Sequence, residues 1–200
     1  MKDIDYLLNF VIPSGEIGPT GPTGPDGSNI ARSAYLVTYN DGTAPTGITI
    51  QSDDRLPIDV KELDISNLIT LDTNDETIKF NIEGYYKITF TVSAYVQYAS
   101  NSTFNKQTDF VSLAFRNANT KNVYIGTSQW VLNETAIQLV GQGIISITNT
   151  NDEYELVNLG KRQICLETPE LKNTISNSYF SNSLLTIVIE YLGRQSATNN

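Results

Sequence analysis

The sequence predicts an all-β domain, an antiparallel sandwich or jelly roll. Three observations predict it. Residues 85–98 alternate: Tyr86, Ile88, Phe90, Val92, Ala94, Val96 and Tyr98 take the even places, and the odd places include Lys87, Thr89, Thr91, Ser93 and Gln97. A period of two means one buried and one solvated face. Across residues 29–195, short runs rich in Thr, Ile, Val, Tyr and Asn are punctuated by turn residues about every ten positions. No segment repeats its apolar residues at helical spacing, and residues 56–71 are expected to hold a single helical turn at most.

Taken from the N-terminus, the first element is MKDIDYLLNFVIP, residues 1–13. It is too acidic, and its apolar run too short, for a secretory signal peptide, and no stretch approaches a membrane span. The expectation is synthesis in the cytoplasm and arrival at a surface without the usual export signal. Tyr6, Leu7, Leu8, Phe10, Val11, Ile12 and Pro13 form an apolar patch with no core of its own. Such a segment can add to a neighbouring domain as a strand or fill a groove in it. It can also serve as an unstructured or anchor-binding tail, or fold back on its own domain.

Residues 14–28 carry a strict period of three: Gly15-Glu-Ile, Gly18-Pro-Thr, Gly21-Pro-Thr, Gly24-Pro-Asp, Gly27. Glycine at every third place with proline after it is the collagen pattern, because three polyproline-II chains share one axis where only a hydrogen side chain fits. At about 3.1 Å per residue this neck reaches roughly 40 Å. So short a repeat cannot hold three chains together unaided, and it needs a trimeric domain beside it. Residues 29–195 are that domain, and 196–200 are expected to be a disordered tail.

Within the domain, strands are predicted at 34–39, 46–51, 78–82, 85–98, 109–116, 122–126, 129–132, 135–140, 143–149, 154–158 and 184–192, with Gly141-Gln-Gly143 separating two of them. The last strand is apolar on both faces. Leu185, Ile187, Ile189 and Tyr191 lie on one side; Leu184, Val188 and Leu192 lie on the other. A strand apolar on both sides is buried on both sides. In a lone sandwich only one face meets the core, so the other is expected against a second subunit or beneath a loop. Tyr35, Leu185, Ile187, Ile189 and Tyr191 are the trimer-interface candidates.

Composition excludes several function classes. There are 13 Lys and Arg against 22 Asp and Glu, a net charge of −9, which disfavours nucleic acid and anionic membranes. The chain has no histidine, which removes Ser-His-Asp and Cys-His catalysis and most zinc or iron sites. The one cysteine, Cys165, cannot form an intrachain disulfide and reads as a small buried hydrophobe. Residues 72–76 and 149–153 are oxygen-rich in the manner of calcium loops, but Asn and Asp between strands serve turns. Ser52-Asp53-Asp54-Arg55 reads as a solvated loop. Asn101 and Asn133 begin N-glycosylation patterns that carry little meaning without an export signal. No enzyme activity, cofactor or metal is expected.

A collagen-type repeat ahead of a β-rich domain resembles the bacterial collagen-like spore-surface proteins, the BclA-type exosporium glycoproteins. The likeness rests on Gly18-Pro-Thr-Gly-Pro-Thr-Gly24, on Ala31-Arg-Ser-Ala-Tyr35 as a first strand, on Ile82-Glu-Gly84-Tyr-Tyr86-Lys-Ile88 leading into a central strand, and on Leu184 to Leu192 as the closing strand. The resemblance implies a TNF-like jelly-roll head that assembles as a homotrimer, an N-terminal peptide that targets and attaches, and a place on the spore surface, in the exosporium or an appendage. It also implies Thr20 and Thr23 as sugar carriers. The repeat here is short where that family often carries a long stalk, which suits close packing of successive heads into a fibre. The implied partners are the chain itself and a spore-coat or exosporium anchor protein. A different class stays open: the receptor- or glycan-binding head of an adhesin or phage fibre, with Tyr179-Phe180 in loop 173–183 as the exposed aromatics.

Overall fold

The structure, a computed structural model, describes residues 32–39, 47–96, 104–131, 136–167 and 183–194. The expectations on the N-terminal peptide, the glycine repeat, Asn101, Asn133, Tyr179-Phe180 and the C-terminal tail lie outside these residues. The described chain is all β. Its strands are β1 (Ser33–Tyr39), β2 (Ile48–Ile50), β3 (Val60–Asp64), β4 (Ile69–Asp72), β5 (Thr77–Phe80), β6 (Gly84–Val96), β7 (Phe110–Asn117), β8 (Val123–Trp130), β9 (Ile137–Ile147), β10 (Glu153–Asn158), β11 (Ile164–Leu166) and β12 (Ser183–Gly193).

Two antiparallel sheets face each other. One runs β2-β11-β6-β12-β1-β3, with β9 on the other edge of β6; the second runs β4-β5-β10-β7-β8. Number β1, β5, β6, β7, β8, β9, β10 and β12 from one to eight. The first sheet then reads 1-8-3-6 and the second 2-7-4-5. Among these eight strands the chain changes sheet at every connection except that from β7 to β8, which is the jelly-roll winding of two Greek keys.

The alternation in β6 is the spine of the core. Tyr86, Ile88, Phe90, Val92, Ala94 and Val96 are fully buried, and Ile78, Phe80, Val111, Leu113, Phe115, Tyr154 and Leu156 meet them from the second sheet. Each large side chain so buried contributes about 1.5–3 kcal/mol. Phe80 packs on Tyr86 at 4.6 Å and edge-on against Tyr154 at 5.2 Å. The buried Tyr86 hydroxyl is satisfied by donating to Ile82 O at 2.6 Å.

Four local expectations are corrected. The glycines at 141 and 143 do not separate two strands, because β9 runs unbroken through them. A methyl at Gly141 would come within 2.0 Å of Phe90 Cζ, and one at Gly143 within 2.8 Å of Ile125 Cγ1. The glycines make room for large side chains of the core. The segments 122–126 and 129–132 are likewise one strand, β8. Residues 56–71 hold no helical turn but β3, a tight turn and the start of β4. That turn takes positive φ at Ser66 and Asn67, and the Asp64 carboxylate accepts from Leu68 N at 2.7 Å. Finally, β11 was not predicted; it pairs β2 on one side and the end of β6 on the other, with Cys165 buried between them. Burial pushes the Cys165 thiol up.

Gly141→Ala is expected to lower stability by about 1–3 kcal/mol through overpacking. Thermal unfolding of Gly141→Ala, Phe90→Leu and the double variant checks this. The double variant should recover part of the loss, since the two sites share one space. Simple additivity would refute the account.

Candidate assembly face

The candidate site is the outward face of the larger sheet, over β9, β6, β12 and β1. Strand parity builds it: even residues of β6 fill the core, so odd ones point away. Register then aligns the neighbours in rows. One row is Gln142, Thr89, Val188 and Tyr35; the next is Val140, Thr91, Thr186 and Val37, the last of which is fully buried within the chain and not open to a partner. A third is Ile144, Lys87, Glu190 and Ser33. Lys87 and Glu190 are the only charged side chains that point outward from these four strands among the described residues, and they neutralise each other at 2.7 Å. The rest of the face is uncharged, mostly threonine, serine, glutamine, tyrosine, valine and isoleucine. Val140 and Ile144 on the edge strand β9 are 53% and 64% exposed.

The outward side of the smaller sheet is a different surface. Glu155 on β10 is fully buried there and gathers three cations: Arg116 Nε at 2.6 Å, Lys121 Nζ at 2.9 Å and Arg55 Nε at 2.5 Å. Arg116 also reaches Asp53 at 2.6 Å. Burial pushes the Glu155 carboxyl up, but hydrogen bonds from Lys121, Arg116 and Arg55 outweigh it and hold the group below the usual glutamate range. Ser52 to Arg55 is therefore not a free solvated loop. Asp53 N and Leu56 N donate to Asn158 O and Leu156 O, so the segment lies along β10. Local composition cannot show a backbone partner a hundred residues away.

Parity also sorts the five interface candidates. Leu185, Ile187 and Ile189 point inward and are fully buried within the single chain. This corrects their assignment, since a second subunit cannot touch them. Tyr191 points inward too, at the rim, against the Tyr86 ring at 5.1 Å. Tyr35 is the one of the five on the outward face. Val188, Thr186, Val140 and Ile144 were not among the candidates. The signal for them was present: Val140 and Ile144 stand opposite in parity to Leu139, Ile145 and Ile147, as Val188 does to Ile187.

Asp72 Oδ1 accepts from Asn74 N and Asp75 N, and Asn149 Oδ1 from Asn151 N, so these oxygens serve their own turns. The start of the domain sits at one end of the sandwich. Arg32 O accepts from Tyr191 N at 2.9 Å, and the Arg32 guanidinium lies 5.6 Å over the Tyr191 ring. Gly84 lies in the same place with φ of +146°, where a Cβ would strike Gly193 O. The described chain therefore enters the head at this proximal end, at Arg32, and β6 runs from it to the distal end at Val96.

No protein-family model matches the chain, and no curated protein matches its sequence. Among solved structures it is similar to the globular domain of zebrafish complement 1qA protein, with a TM-score of 0.48 and 10% identity over 82% of this chain and 99% of that one. It is also similar to murine APRIL at pH 5.0, with a TM-score of 0.48 and 8% identity over 81% and 99%. At these scores neither likeness adds to what the strand order already shows.

Proposed function

We propose that this chain is a structural subunit that trimerises through the outward face of its larger sheet and attaches through its N-terminal segment, joining trimers head-to-tail into a fibre. The observation that carries the trimer is the near-neutral face of β9, β6, β12 and β1, whose outward ion pair is already closed. Val140 and Ile144, on the edge strand, suit packing against the face of the next copy, a head-to-tail contact that closes after three. The glycine repeat asks for three chains on one axis, which a three-fold head supplies. Three tails per trimer make the link between trimers multivalent. The spore surface, in the exosporium or an appendage, and a coat or exosporium anchor protein are proposed from the resemblance of the repeat and head motifs.

Light scattering on the purified full-length protein should give three chains per particle, and negative-stain microscopy should show beaded filaments. Deleting residues 1–13 should leave single trimers. Monomers would overturn the trimer, and single trimers from the full-length chain would overturn the fibre. A second reading, a receptor- or glycan-binding head of an adhesin or phage fibre, is favoured by one feature: Trp130, 62% exposed, stands at the distal end.

A further inference from the structure

The geometry points to the groove beside Trp130 as the seat for the N-terminal segment of a neighbouring trimer, an inference that rests on the head-to-tail reading. Its position comes first. β6 runs away from the neck, so antiparallel β9 begins at the distal end. Ile125 of β8 meets Gly143 midway along β9, and Trp130 lies further on, at the level of the β9 start. Phe110, its cross-strand partner on β7, shares that end. A trimer arriving neck first would therefore bring its tails to the end where this groove lies.

The groove itself is built to accept an apolar chain. Lys106, Phe110, Ser128, Gln129 and Trp130 line a volume of about 310 Å³, at the small end for ligand sites. The indole N–H is already used, donating to Lys106 O at 3.1 Å, so the ring is held in place and offers its apolar face. A side chain fixed beforehand loses little entropy on binding. Phe104, 39% exposed, stands a few residues away in the chain.

The occupant follows from the chain outside the described residues. Phe10 and Pro13 are the kinds of side chain that aromatic-lined grooves take from extended peptides. Asp3 and Asp5 are complementary to the Lys106 ammonium. Length argues for a neighbour. β6 alone makes the head about 40 Å long, and the repeat, wound in the collagen manner its sequence calls for, would set the segment about 40 Å further off. A neck wound in that way would not return its own tail to its own distal end.

Trp130 is the only tryptophan in the chain, so its emission reports on this groove alone. The experiment titrates a synthetic peptide of residues 1–13 into the trimers that lack residues 1–13, whose grooves are empty, while following tryptophan emission, and into the full-length filaments while following their length. The expected result is a blue shift together with shortened filaments, with a peptide carrying Phe10→Ala about tenfold or more weaker. The full-length Trp130→Ala variant should remain trimeric and lose its filaments. Suppose the peptide shortens filaments with no change in emission, or Trp130→Ala polymerises like the wild type. Then tails link trimers elsewhere, and the groove inference falls while the fibre stands. If the protein forms no filaments and the peptide leaves the emission unmoved, both fall. An emission shift with an oligosaccharide and none with the peptide overturns the inference in favour of a glycan site.

Discussion

Glu155→Ala is expected to destabilise the head by about 3–5 kcal/mol, the cost of leaving a buried charge without its partner. Arg116 is nearly as buried as Glu155, and it cannot shed its charge. Without the carboxylate, Arg116 keeps only Asp53, which is largely exposed, and Arg55 and Lys121 crowd the same space with like charge. For a domain of this size the loss corresponds to a melting temperature lower by on the order of ten degrees. Thermal unfolding followed by circular dichroism measures it, and a shift under about 2 °C would show that the network contributes little. The same group sets a pH dependence. Its folded pKa is depressed, so its stabilisation is full above the unfolded glutamate value of about 4.3 and is lost as pH falls through the lower folded value. Acidification below about pH 4.3 should steepen unfolding in the wild type, and Glu155→Gln should remove that part of the slope.

Val188→Arg is expected to abolish the proposed trimer while leaving the head folded. Val188 sits mid-face, between Thr89 and Tyr35, and an arginine there would be desolvated at the contact with no partner. A buried unpaired charge costs several kcal/mol per copy, enough to dissolve an assembly of ordinary affinity. The adjacent Ile187→Ala should do the reverse. It empties a fully buried core position, costing about 2–5 kcal/mol of stability, and does not touch the assembly face. Light scattering reads the first effect and thermal unfolding the second. Trimers of Val188→Arg with the wild-type midpoint of dissociation would remove this face from the interface.

The all-β class and the long central strand were legible in the residues because alternation is a local property: a period of two needs no knowledge of neighbours. The same holds for the glycine repeat and for the missing histidine. Strand continuity through Gly141 was not legible. Glycine in a strand reads as an interruption until the Phe90 ring is seen in the space a methyl would take. The segment from Ser52 to Arg55 reads as loop because its backbone partner lies on β10, far along the chain. For the last strand, the residues alone revealed two apolar faces, and packing alone showed which is which. Leu185, Ile187 and Ile189 look like interface as much as core in one dimension. The β6–β12 register turns them inward and leaves Val188 outside. Periodicity along the chain therefore predicts that a face exists. Whether it is covered by this chain, and which end of the head carries Trp130, depends on strand order and register, which join residues too distant for any local pattern to encode.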